Sequence, residues 1–142
     1  MTRFLMSLDD SVDLVTYAFS NANQGDIFVQ KSPASTIFDL AEALKKIFKS
    51  NAKIKIIGTR HGEKLYESLL SREEKAKAVD LDKYYQVPMD SRDLNYNKYF
   101  NDGSSEIVLA DDYTSHNTQR LNVDEVVELI SNLDVVKGAL ND

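Results

Sequence analysis

Cysteine is absent from the 142-residue sequence, and with it go disulfides, thiolate metal sites, iron–sulfur clusters and cysteine nucleophiles. That absence fits a reducing compartment. No apolar run approaches the ~18 residues needed to cross a bilayer, and Met1–Asp10 lacks the basic start and apolar stretch of a signal peptide. A soluble cytoplasmic protein without membrane contact is the expectation. Basic residues are in deficit, 17 Lys plus Arg against 23 Asp plus Glu, for a formal charge of −6. No cationic stripe exists to offset phosphate repulsion, so a nucleic acid is not an expected partner. A local basic pocket for a small anion stays open.

Catalytic signatures are missing as well. Neither His61 nor His116 sits in an HxxxH or HExxH setting, so no metal site is expected. No GxSxG elbow supports a serine nucleophile. No GxGxxG or GxxxxGK[ST] loop is present to cradle a dinucleotide or ATP, and none of the seven tyrosines is followed by Lys four residues on. The cluster Tyr84, Tyr85, Tyr96, Tyr99 and Phe100 lacks the interleaved Lys and Arg of a base-stacking platform, and reads as core or interface.

What remains is a sequence with 42% hydrophobic and 28% charged residues, ordinary for a globular chain of one domain over residues 1–142. Thr2–Met6 reads as a strand. Ser7–Asp10 resembles a capping box opening a helix, with Leu8, Val12, Val15 and Phe19 as its buried stripe and Gly25 ending the connection. Asp26–Gln30 reads as a strand, and Ser35 or Thr36 caps a second helix with Ile37, Leu40, Leu44, Ile47 and Phe48 facing the core. Lys53–Gly58 alternates like a half-buried strand, and Glu63–Leu70 reads as a helix with Leu65 and Leu69 inward. Strands follow at Tyr84–Val87 and Ile107–Leu109, with a turn at Asn101–Gly103. Asn122–Glu125 caps a last helix lined by Val123, Val126 or Val127, Ile130 and Leu133. Alternating strands and helices define an α/β class. The weakly periodic interval from Ser71 to Thr118 is of a kind that often carries binding or subunit contacts.

The segment Ile56-Ile-Gly-Thr-Arg-His-Gly-Glu-Lys-Leu-Tyr-Glu67 concentrates the chemistry. A strand running into Gly58, followed by Arg60, His61 and Lys64 and a helix start near Glu63, suits a diphosphate, because guanidinium and helix N–H groups both bind phosphate oxygens. Glu63 then stands where it can accept from vicinal ribose hydroxyls. The alternative is a solvated turn with Arg60 paired to Glu63 or Glu67.

Thr2-Arg-Phe after Met1, Gly25-Asp-Ile-Phe-Val-Gln-Lys31, Gly58–Glu67, Arg92-Asp-Leu-Asn-Tyr96 and Tyr113-Thr-Ser-His-Asn-Thr118 together resemble the C-terminal half of a bacterial polysaccharide-biosynthesis enzyme. The family is the extended short-chain dehydrogenases of the UDP-GlcNAc 4,6-dehydratase/5-epimerase type, often labelled UDP-glucose 4-epimerase. The resemblance implies a small α/β substrate-binding domain lacking the N-terminal Rossmann domain that holds NAD(P). By motif it places Arg60 on the diphosphate, Glu63 on the uridine ribose, and Thr2 and Arg3 beside the substrate cleft. Residues 91–118 resemble the segment that reaches across subunits in these oligomers. The dinucleotide loop and tyrosine–lysine pair belong to the half that this sequence does not contain, so it reads as a fragment. The implied partners are a UDP-sugar, a Rossmann half in cis or trans, and further copies in a homo-oligomer, with no cofactor bound and no turnover by this chain alone. The competing reading is a non-catalytic assembly or regulatory module, for which Arg60 and Glu63 are dispensable.

Overall fold

The structure is a computed structural model that describes residues 1–89 and 111–141. The turn expected at Asn101–Gly103, the strand at Ile107–Leu109 and most of the 91–118 stretch lie outside the described residues. In chain order the elements are β1 (Thr2–Phe4), α1 (Leu8–Asn21), β2 (Ile27–Gln30), β3 (Ala34–Thr36), α2 (Ile37–Ile47), β4 (Ser68–Leu70), α3 (Arg72–Lys77), β5 (Val79–Leu81), β6 (Tyr84–Val87), β7 (Tyr113–Thr114), α4 (Val123–Ser131) and α5 (Asp134–Asn141). The class is mixed α/β, with short sheets β1-β3, β2-β6-β5 and β4-β7, and every pairing among these strands is antiparallel. No helix among the described residues is long and apolar enough to cross a membrane. The contacts resolve into two compact units. One comprises Met1–Ser7, Ser32–Glu67 and Ser115–Asp142; the other comprises Leu8–Lys31 and Ser68–Thr114.

In the first unit, α2 and α4 supply the core. Ala43, Leu121, Val126, Ile130 and Val136 are buried together, with Leu5, Leu40, Ile47, Val123, Val127 and Leu133 packed around them. Full burial of such side chains stabilises by roughly 1.5–3 kcal/mol each for the larger ones, which fixes these helices more firmly than their intrinsic propensities do. The ends are chemically defined. The Thr36 hydroxyl accepts from the Asp39 N–H at 2.9 Å to start α2, and Lys45 and Lys46 sit in its last turn, where cations offset the exposed carbonyls. Asn122 and Glu125 form a reciprocal capping box on α4. β1 pairs with β3 through Thr2↔Thr36, Arg3↔Ser35 and Phe4↔Ala34. On its other side the fully buried Ala34 donates to the Gln119 carbonyl at 2.8 Å and accepts from Leu121 at 2.9 Å.

In the second unit, Tyr17 on α1 packs its ring on Phe28 of β2 at 5.7 Å and on Tyr84 of β6 at 4.5 Å. Ser71 and Glu74 cap α3. Gly25 turns the chain into β2 at φ 87°, a conformation that costs an L side chain about 1–2 kcal/mol. The next residue, Asp26, accepts from the Asn23 N–H at 2.9 Å and the Gln86 side chain at 2.6 Å.

Four expectations need correction. Lys53–Gly58 forms no strand, and Glu63–Leu70 forms no helix; the chain instead makes a turn at His61–Gly62 and enters β4 at Ser68. Gly62 at φ 77° takes the chain out of helical space. The Leu65 carbonyl and the Glu67 N–H are drawn off by Thr2 and Ser115, both at 2.9 Å. On α1 the predicted stripe is exposed rather than buried: Leu8 86%, Val12 62%, Val15 53%, Phe19 88%. This helix carries a second apolar face through Leu14, Tyr17 and Ala18, and that face is the half-buried one. On α2 the core face is rotated, with Leu40, Ala43 and Ile47 inward and Ile37, Leu44 and Phe48 exposed. The fully buried Ala43 sits in the core shared with Val126 and Ile130 of α4.

Candidate functional site

The residues from Ile54 to Leu65 run across the first turn of α2, and between them lies a cleft of ≈ 550 Å³. Ligand pockets commonly have this size. Ile37, Phe38, Ile56 and Ile57 give it apolar walls, while Lys55, Arg60 and Glu63 bring charge.

Arg60 and Glu63 are joined by a four-residue turn. The Glu63 N–H donates to the Arg60 carbonyl at 3.1 Å, and the Arg60 N–H donates to Glu63 Oε2 at 2.9 Å. Gly62, at φ 77°, occupies the third position, where a type II turn requires positive φ. The carboxylate is therefore committed to the turn's backbone and not to the guanidinium. Glu67 is occupied elsewhere: Oε2 accepts from the Phe4 N–H at 2.9 Å and Oε1 lies 3.6 Å from Arg3 Nε. The anticipated pairing of Arg60 with Glu63 or Glu67 does not form, and the guanidinium makes no hydrogen bond or ion pair with any described residue. It stands in solvent at the cleft wall with its donors uncommitted.

Thr2 and Arg3 occupy a different position. Thr2 is buried, and its hydroxyl lies 2.8 Å from Ser115 Oγ and 2.9 Å from His116 Nδ1. Ser115 Oγ in turn accepts from the Glu67 N–H at 2.9 Å, and the Tyr66 ring lies against the His116 ring at 4.9 Å. Arg3 donates to the Thr2 carbonyl at 2.7 Å and the Lys64 carbonyl at 3.1 Å. Neither residue lines the cleft. Both fasten the Lys64–Glu67 stretch to β1 and so hold the turn carrying Arg60 and Glu63. Nothing local in the sequence pairs Ser115 and His116 with Thr2; only a fold that brings position 115 beside position 2 exposes their part in the network.

Helix N–H donors contribute less than expected, because no helix starts at Glu63. In the first turn of α2 the Ile37 N–H is taken by the Met1 carbonyl at 3.2 Å and the Asp39 N–H by Thr36. Cationic character at the cleft thus rests mainly on Arg60 and Lys55. Among the described residues no group of His, Asp and Glu is arranged to hold a metal ion.

The sequence matches the family described as polysaccharide biosynthesis protein over residues 1–89 and the one described as polysaccharide biosynthesis protein C-terminal over residues 90–137. The chain belongs to the polysaccharide biosynthesis protein family. It is 68% identical over 140 residues to the UDP-glucose 4-epimerase of Rickettsia bellii (strain OSU 85-389), and 66% identical over 140 residues to that of Rickettsia rickettsii (strain Sheila Smith). Each alignment covers 99% of this chain and 41% of the relative, so the chain spans well under half the length of these proteins. Its fold is similar to the X-ray structure of Pen from Bacillus thuringiensis, with a TM-score of 0.69 and 29% identity over 94% of this chain and 38% of that one.

Proposed function

We propose that this chain is the nucleotide-sugar-gripping part of a UDP-sugar epimerase or dehydratase of polysaccharide biosynthesis, with UDP-GlcNAc as substrate in capsule or O-antigen synthesis. The observation that carries the reading is Arg60: an unpaired guanidinium on the wall of an apolar-sided cleft, three residues from a carboxylate held in place by the turn. A guanidinium binds phosphate oxygens as a planar fork, and a charge-assisted hydrogen bond of this kind contributes about 1.5–3 kcal/mol. Glu63 spends one lone pair on the Arg60 N–H, and a carboxylate has others to offer to vicinal ribose hydroxyls. Apolar walls at Ile37 and Phe38 suit the face of a uracil ring.

Epimerases and dehydratases of this type rely on NAD(P) for reversible hydride transfer at the sugar. The described residues do not fit that group. Gly25, Gly58 and Gly62 have positive φ, yet none of them joins a strand to a helix as a phosphate loop must. We assign no hydride step to this chain, and place the cofactor and the proton-transfer residues on a Rossmann half supplied in cis or in trans. Without it we expect no turnover.

A second reading, an assembly module, draws support from the exposed stripe Leu8, Val12, Val15 and Phe19 on α1. Such a stripe is commonly covered by another surface. It is compatible with the first reading, since a homo-oligomer or a Rossmann half would serve as the cover.

NMR titration of the labelled chain with UDP and UDP-GlcNAc tests the grip. Shifts clustered on Gly58–Lys64 and lost in Arg60→Ala support it. Absence of shifts at millimolar ligand overturns binding by this chain alone and favours the assembly module.

A further inference from the structure

The charged side chains that line the cleft beside α2 are Lys55, Arg60 and Glu63, and Arg60 alone does not make that wall attractive to an anion. Glu63 is tied to the turn, with the Arg60 N–H donating to its Oε2 at 2.9 Å. The hydrogen bond holds the carboxylate in place and does not neutralise it. A phosphate that approaches the guanidinium therefore meets a fixed negative charge as well. Near a protein surface such repulsion is stronger than in open water, because the effective dielectric constant is about 20 rather than about 80. Arg60 and Glu63 cancel in net charge, so attraction for a phosphate has to come from a further group.

Lys55 supplies it. This side chain lines the cleft, and it makes no hydrogen bond or ion pair with any described residue. Lys53, His61 and Lys64, the cations nearest in sequence, do not line the cleft. With Lys55 the lining holds two cations against one carboxylate, a net side-chain charge of +1; without it the net is zero. The two cations also differ in kind. A guanidinium is a planar fork that fixes the orientation of the phosphate it holds, whereas an ammonium is a compact point charge on a flexible stem. A nucleotide sugar brings two ionised phosphates, one for the fork and one for the ammonium. We propose that Lys55 is a specificity-determining residue of this cleft: it offsets the charge of Glu63 and sets a preference for nucleoside diphosphates over monophosphates. The inference rests on the reading of the cleft as a nucleotide-sugar grip, and names the residue by which that grip selects its ligand class.

The test uses the full labelled chain with its α-amino group acetylated, since Met1 also lines the cleft and acetylation removes the terminal charge. UDP and UMP are titrated against wild type, Lys55→Gln, Lys55→Arg and Lys53→Gln, with the Gly58–Lys64 amides reporting Kd. Wild type is expected to bind UDP more tightly than UMP. Lys55→Gln should weaken UDP by about tenfold, as loss of a charge-assisted hydrogen bond does, and UMP much less, so that the preference closes. Lys55→Arg keeps the charge and should keep most of the preference. Lys53→Gln removes the same charge outside the cleft, where solvent and salt screen it, and should leave both ligands within about twofold of wild type. Because Lys55 makes no contact of its own with a described polar group, Lys55→Gln should leave the thermal midpoint unchanged, and lost binding is then not lost folding. Full UDP affinity in Lys55→Gln, equal weakening of UDP and UMP, or equal weakening of UDP by Lys53→Gln each overturns this inference and leaves the Arg60 grip standing. Absence of UDP shifts in wild type at millimolar ligand overturns the grip and this inference together.

Discussion

Thr2 and Ser115, 113 positions apart in the sequence, meet with their hydroxyl oxygens 2.8 Å apart in a buried position. Ser115 Oγ also accepts from the Glu67 N–H, so one hydroxyl ties β1 to the stretch that follows the Arg60–Glu63 turn. Ser115→Ala should therefore leave that N–H without its side-chain partner and cost about 1–3 kcal/mol, read as a lower urea midpoint at unchanged m-value. Thr2→Ser keeps the hydroxyl and should cost less. Equal midpoints for Ser115→Ala and wild type would remove the network from the list of what holds the turn.

Gly25 and Gly62 share a positive φ, at 87° and 77°, but not their surroundings. A Cβ on Gly25 would stand 2.6 Å from Met89 Sδ, whereas a Cβ on Gly62 meets nothing within 4 Å. Gly62→Ala should cost only the left-handed backbone term, about 1–2 kcal/mol, and Gly62→Asn less, since Asn tolerates that region. Gly25→Ala should cost more than Gly62→Ala, because Met89 must also move. Thermal midpoints of the three variants give the order directly.

Ile130 and Phe19 test the assignment of core and surface. Ile130 sits in the α2–α4 core, so Ile130→Ala should cost about 2–5 kcal/mol. Phe19 is 88% exposed, and Phe19→Gln should change stability by no more than about 0.5 kcal/mol. If α1 is an association surface, the same substitution should lower the sedimentation coefficient at high protein concentration.

The Asp26 carboxyl is held below the ordinary carboxylate range, chiefly by the Asn23 N–H and then by the Gln86 side chain, against a smaller opposing effect of burial. A lowered folded-state value means that the ionised form stabilises the fold. That contribution is complete above the unfolded value near pH ~3.9 and is lost as pH falls through the lower folded value. Wild type should therefore lose more stability than Asp26→Asn on acidification from about pH 6 to about pH 3. Identical acid limbs in denaturant titrations would show that Asp26 carries none of the effect.

The helix caps were readable from the chain because they are local. Thr36 with Asp39 and Asn122 with Glu125 announce α2 and α4 within four residues, and Tyr84–Val87 shows its strand character in its own composition. The direction a helix faces is not local. α1 has apolar residues on two sides, and only the position of Phe28 and Tyr84 decides that Tyr17 and not Phe19 is covered. The alternation in Lys53–Gly58 specifies an extended backbone but cannot specify a neighbour for it. At the candidate site, Arg60 and Glu63 were legible because their turn spans four residues. The placement of Thr2 and Arg3 in a fastening network was not, since it depends on Ser115, His116 and Glu67 arriving from far along the chain.

The unit that carries the cleft is assembled from three separate stretches, Met1–Ser7, Ser32–Glu67 and Ser115–Asp142. On a ribosome adding about 5–20 residues per second, α2 emerges several seconds before α4, the helix that covers its core face. Throughout that interval Leu40, Ala43 and Ile47 have no final partner. The length of their exposure is set by the reach of sequence to Val126 and Ile130 and not by any barrier to packing. Slowing translation between Glu67 and Ser115 would lengthen the period in which a chaperone, or another nascent chain, competes for that face.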